Sequence, residues 1–166
     1  MSATPAPEAA PAAAAEALIA PDEPVLLDTN VLVYASNADA PVHERALTLV
    51  KRALAGELDA ALTPQVLAEY LAVVTDPRRL ERPIAPRDAQ GQIDALLDGP
   101  LRLLTLGDAT ARRLAELAAA YDVRAQRLYD LHLVATMLAH GVLTLYTANV
   151  RDFRRYAEIT VVNPFA

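Results

Sequence analysis

The 166-residue chain has no cysteine and no tryptophan, a single lysine, Lys51, and only two serines, Ser2 and Ser36. Each scarcity closes a class of chemistry. Without cysteine there is no disulfide, no thiolate nucleophile and no sulfur metal site, a composition suited to a reducing cytosol, so a cytoplasmic location is expected. Lys51 stands in no phosphate-binding or Schiff-base motif, and neither serine sits in a nucleophile elbow. Aromatic residues are 5% of the chain, which leaves little material for reading nucleic acid by base stacking. Tyr129 and Tyr146 are expected in the core or lining a cleft. Hydrophobic residues reach 54%, much of it alanine. Glu69, His132 and Gly141 interrupt the apolar stretches well short of the roughly 20 residues that span a bilayer, so no membrane partner is expected.

The length suits one domain with a substantial core. Residues 1–22 are rich in Ala and Pro and lack the basic start and continuous apolar region of a secretion signal. They read as a disordered tail, leaving 23–166 as the folded unit. The net charge of -6 weighs against a protein that grips nucleic acid through a broad basic surface. It does not weigh against a nuclease whose bound cations supply local positive charge.

Strand and helix signals alternate. Residues 24–29 read as a buried strand, and 31–34 either extend it or turn into a short helix. A helix fits 41–55, with Pro41 in its first turn and Gly56 as its stop. A strand near 59–62 precedes Thr63 and Pro64, an N-cap and N1 pair opening a helix that ends before Pro77. Pro86 opens a helix through Leu97, a strand covers 101–104, and Asp108 caps a helix to about Ala120. Residues 128–140 form a helix stopped by Gly141, 142–146 a strand, 149–156 a loop or short helix, and 159–162 the last strand. This alternation predicts an α/β/α sandwich around a mostly parallel sheet of about five strands.

Four polar clusters interrupt the apolar pattern. Val25-Leu26-Leu27 runs into Asp28-Thr29-Asn30; Glu69 lies mid-helix beside an apolar stripe; Asp130 falls in the first turn of its helix; Asn149 and Asp152 follow a late strand. In an open parallel sheet ligands bind at the carboxyl ends of strands, so Asp28 and the Asn149/Asp152 pair should meet at one edge. Each acid also has an ordinary explanation. Asp28 could cap a helix, Asp130 could answer a helix dipole, Glu69 could be a solvated flank, and Asp152 could pair with Arg155. As a set they repel one another unless protons or cations compensate. One or two Mg²⁺ or Mn²⁺ ions would neutralise them, lower the pKa of an attacking water and stabilise charge on a phosphodiester.

Over about residues 24–165 the chain resembles the PIN domain and, within it, the VapC toxins of VapBC toxin-antitoxin modules. The residues that carry the likeness are Leu26-Leu27-Asp28-Thr29-Asn30-Val31-Leu32-Val33-Tyr34, the Glu69 helix running into Val73-Val74-Thr75-Asp76-Pro77-Arg78, Asp130-Leu131-His132-Leu133-Val134-Ala135, and Thr147-Ala148-Asn149-Val150-Arg151-Asp152-Phe153. The resemblance implies a PIN-like fold and a Mg²⁺- or Mn²⁺-dependent endoribonuclease. It implies a VapB-like antitoxin as partner, a homodimer, and RNA as substrate. It places Asp28, Glu69 and Asp130 on acidic metal positions, with Asp152 favoured as the fourth acid because Val150 stands where many relatives carry one. Thr29, Asn30, Thr147 and Asn149 would support the site, Thr29 and Asn30 by orienting the first carboxylate or the substrate phosphate.

Arg78, Arg79, Arg127 and Arg151 are candidates for holding RNA, while Arg154 and Arg155 lie near the later acids. His132, two residues after Asp130, and His140, at a helix end, are expected to be structural. A haloacid-dehalogenase-like phosphatase would need a second Asp where Asn30 stands. The remaining alternative is a PIN fold retained as a binding scaffold.

Overall fold

The computed structural model describes residues 23–166; the expected Ala/Pro-rich tail, residues 1–22, lies outside the described residues. Five short strands form one parallel sheet: β1 (Val25–Leu27), β2 (Ala60–Leu62), β3 (Arg102–Leu103), β4 (Thr144–Tyr146) and β5 (Thr160–Val162), in the order β3-β2-β1-β4-β5. β1 and β2 are buried along their whole length. That is the pattern of interior parallel strands covered by helices on both faces. The edge strand β3 is exposed and two residues long, shorter than the expected 101–104.

Among the described residues the helices are α1 (Thr29–Ser36), α2 (His43–Leu54), α3 (Pro64–Val74), α4 (Pro86–Leu97), α5 (Asp108–Ala120), α6 (Arg127–Ala139) and α7 (Val150–Phe153). α1 packs on α2 and α3, α3 on α4, and α5 on α6. The expected sandwich is present, and the sheet is wholly parallel. Residues 31–34, left open between strand and helix, are helical. Asp28 ends β1 and caps α1 by accepting the Thr29 N–H at 2.7 Å.

Local chemistry explains most element ends. The Thr63 hydroxyl accepts the Val66 N–H at 3.1 Å, and Pro64 opens α3 as expected. Gly141 follows α6 with φ of 69°, a left-handed conformation that glycine adopts without steric penalty. Two expectations fail. α2 starts at His43, so Pro41 lies ahead of the helix. Asp108 is the first residue of α5 rather than its cap; Gly107 occupies the cap position and no side chain closes it.

β1 and β4 are neighbours, with Leu27 opposite Tyr146. The chain builds outward from β1 to β2 and β3, then returns to the other side of β1 with β4 and β5. The carboxyl ends of β1 and β4 therefore flank the point where strand order reverses, the place where open α/β sheets bind ligands.

Candidate active site

At that reversal the Asp28 N–H donates to the Tyr146 carbonyl at 3.0 Å, continuing the β1–β4 ladder one residue into the site. The Asp28 carboxylate is almost fully buried. Its Oδ1 accepts the Thr29 N–H, and its Oδ2 accepts the Thr147 hydroxyl at 2.6 Å and the Asn30 amide at 2.5 Å. Thr147 is also buried, and its Oγ1 accepts from the Asn30 amide at 3.0 Å and from the Asn149 N–H at 2.9 Å. The Asn30 Oδ1 accepts the Ala148 N–H at 2.9 Å. Asn30 thus ties the segment after β1 to the segment after β4. The Thr29 hydroxyl turns the other way and donates to Glu69 Oε2 at 2.9 Å. Asn30 and Thr147 orient the first carboxylate, whereas Thr29 orients the second.

Asp28, Glu69, Asp130 and Asp152 all line one open cavity of about 240 Å³, together with Thr29, Asn30 and Asn149. Four helices deliver them: Asp28 caps α1, α3 carries Glu69, and α6 presents Asp130 from its first turn. Asp152 lies on α7. Sequence reasoning missed the apolar wall formed by Val33, Tyr34, Val73 and Phe153. Its signal was available. Each lies four residues after a polar site residue, respectively Thr29, Asn30, Glu69 and Asn149, and that spacing shares a helix face.

No lysine, arginine or histidine lines this cavity, and among the described residues none of the four acids is in a salt bridge. The electrostatic result is visible in two of them. Burial pushes the Asp28 carboxyl above the usual range, Glu69 adds to the rise, and the bonds from Thr147, Thr29 and Asn30 oppose it. Burial also raises Asp130, reinforced by the charges of Asp152, Asp28 and Glu69, with Arg127 opposing.

The donors are carboxylate, amide and hydroxyl oxygens, the set that suits a hard divalent cation. Among the described residues no three Asp, Glu or His side chains converge into a ready-made metal cage; the acids ring the cavity. The residues fit such an ion by chemistry and by charge, since a cation would relieve the repulsion that Asp130 records.

The other candidates sort clearly. Arg78 is exposed and bonded to Asp76 through two of its nitrogens, Nε and Nη2, and Arg79 is exposed on the same loop. Arg127 and Arg151 line a second cavity that shares Asp130 and Asp152 with the first. His132 bonds Gln65, and the His140 ring bonds the Thr105 carbonyl, the structural roles expected of both. Tyr146 is buried, and its hydroxyl is pushed up to about 12 by that burial. Tyr129 departs from expectation: it is 68% exposed. Its place in the first turn of α6 turns the ring outward while Leu131 takes the buried position. Among the described residues Asp152 and Arg155 form no salt bridge; Arg155 bonds the Tyr156 hydroxyl instead.

The PIN-domain family model matches residues 25–159, and the chain belongs to the PIN-domain family. Nucleases of that family that cleave RNA are generally dependent on divalent metal ions. Within the family the chain stands among the VapC ribonucleases. It is 36% identical to Ribonuclease VapC48 of Mycobacterium tuberculosis over 144 residues, covering 84% of this chain and 96% of that protein. It is 32% identical over 139 residues to Ribonuclease VapC43 of the same species, covering 83% and 93%. The fold is shared with the crystal structure of VapBC2 from Rickettsia felis bound to a DNA fragment from their promoter. That match has a TM-score of 0.60 and 23% identity, and covers 84% of this chain and 98% of that one.

Proposed function

We propose that the protein is the toxin component of a type II toxin-antitoxin system, a Mg²⁺- or Mn²⁺-dependent endoribonuclease whose nuclease unit spans residues 23–166. The observation that carries this reading is the single cavity lined by Asp28, Glu69, Asp130 and Asp152 with no basic side chain among its walls. A bound divalent cation supplies neutralisation of these charges, a more acidic water and stabilisation of the phosphate in flight.

The chain's own residues do the rest. Asp28, Glu69, Asp130 and Asp152 hold the ion, with Asn149 as a neutral oxygen beside them. Thr147 and Asn30 fix the rotamer of Asp28 and favour its ionised form against its burial. Thr29 steers Glu69 into the cavity. Arg127 and Arg151 stand beside Asp130 and Asp152, where an RNA backbone must pass to reach them. Arg78 and Arg79 sit on a loop after α3, the helix that carries Glu69. Family relationship supports a VapB-like antitoxin as the partner that holds the enzyme inactive, a homodimer, and a cytoplasmic location. Among the described residues no helix is long and apolar enough to cross a membrane.

The test is cleavage of RNA by purified protein with Mg²⁺ or Mn²⁺. Activity should vanish with EDTA and with Asp28→Asn or Asp130→Asn. Cleavage that persists in EDTA would overturn the proposal. Absence of Mn²⁺ binding by calorimetry at millimolar metal would favour the scaffold alternative, which Val150 leaves open.

A further inference from the structure

Two of the three arginines on the 76–82 loop are already neutralised by a carboxylate. On the 76–82 loop, Arg78 is paired with Asp76 and Arg82 with Asp39. Beside Asp130 and Asp152, Arg127, Arg151, Arg154 and Arg155 are exposed, and among the described residues none of them is in a salt bridge. All four line one open groove of about 750 Å³. The groove is continuous with the acidic cavity, because Asp130 and Asp152 line both. Four guanidinium groups share this concave surface with two carboxylates, a local excess of positive charge in a chain of net charge -6. Their mutual repulsion is a cost that a polyanion offsets.

The backbone at the lip of the groove is constrained as well. Ala125 takes φ of 56° immediately before Gln126 and Arg127. That left-handed conformation costs a residue with a β-carbon energy and persists only where its surroundings require it. α7 is a single turn followed directly by Arg154 and Arg155, so both arginines follow Asp152 within three residues and line the same groove.

We infer that this groove holds the phosphate chain of the RNA on the Asp130–Asp152 side of the scissile bond, with Arg154 and Arg155 joining Arg127 and Arg151 as its anchors. The inference rests on the reading of the acidic cavity as an RNA-cleaving site and adds a direction to it. The strand is gripped on the flank of the cut where Asp130 and Asp152 line both cavities.

The test is binding of a labelled single-stranded RNA oligonucleotide to the full chain in EDTA, across a salt series, so that no cleavage is needed. The double variant Arg154→Gln/Arg155→Gln should bind about tenfold more weakly near physiological salt. Its salt slope should shrink by about 1.4, roughly 0.7 for each lost phosphate contact. Arg154→Lys/Arg155→Lys should restore the slope, which a merely structural role would not predict. Arg87→Gln/Arg112→Gln removes the same charge from residues lining neither cavity and should leave the slope as it was. An unchanged slope in the Arg154/Arg155 variant, or an equal fall in the Arg87/Arg112 variant, overturns the inference. Because binding is read without metal, a protein that fails to cleave RNA yet shows these slopes refutes the nuclease reading alone.

Discussion

Replacing Thr147 with valine removes one hydroxyl and almost no volume, at a point where three hydrogen bonds meet. Thr147 donates to the Asp28 carboxylate at 2.6 Å and accepts from Asn30 at 3.0 Å and from the Asn149 N–H at 2.9 Å. The bond to the carboxylate is the largest loss, about 2 kcal/mol for a hydrogen bond to a charged group. The half-buried Asn30 amide keeps Asp28 as a partner but loses an acceptor, about 1 kcal/mol. Asn149 is exposed, so water replaces its lost acceptor at little cost. The sum is about 3 kcal/mol, or a Tm lowered by about 6–12 °C for a domain of this size. The loss should depend on pH. The Thr147 bond opposes the rise of the Asp28 pKa, so it favours the ionised carboxylate. Valine raises that pKa further, and the destabilisation is full where wild-type Asp28 is ionised and shrinks as acid protonates it. Urea unfolding in EDTA at neutral and acidic pH measures both. A loss under about 1 kcal/mol, or one that is the same at both pH values, would refute the role given to this hydroxyl.

Asp130→Asn should raise the Tm of the metal-free protein at neutral pH while abolishing cleavage. The Asp130 carboxyl is pushed up by burial and by its acidic neighbours, so the contribution of Asp130 to stability is full below the ordinary Asp range and is lost as pH rises through the elevated pKa; the variant's advantage should therefore disappear on acidification, as melts at the two pH values would record. Thr29→Val removes the hydroxyl that donates to Glu69 and should weaken Mn²⁺ binding by about tenfold or more in calorimetry, the usual cost of losing a residue that orients a ligand. Asp152→Asn should reduce metal affinity and activity together; unchanged values would remove Asp152 from the site and leave Asn149 as the fourth oxygen.

Much of this fold was legible because apolar runs and their punctuation are local. Thr63-Pro64 and Pro86 open helices as their chemistry requires, and Gly141 closes one. Asp28 and Asn149/Asp152 were expected at one sheet edge because strands that alternate with helices are parallel, and the β1–β4 pairing puts them there. What stayed hidden depends on long-range partners. Residue type alone does not say that Thr29 turns to Glu69 while Asn30 turns to Asp28; that choice belongs to the packing of α1 on α3. Nor could the arginines be sorted by sequence. Arg78 finds its carboxylate two residues away, and Arg82 finds Asp39 across the fold. Tyr129, expected in the core or lining a cleft, is turned outward by helix phase, which depends on where α6 packs.

The clasp between Asn30 and the segment after β4 spans 117 residues of sequence, and the Thr147 bond to Asp28 spans 119. A ribosome that has made the chain through β3 has produced Asp28 and Glu69 but not Asp130, Thr147 or Asp152. The cutting centre therefore stays incomplete during translation until the segment carrying Asp130, Thr147 and Asp152 has been made. An RNA-degrading protein built in this order leaves the machinery that makes it unharmed until its last turn is complete.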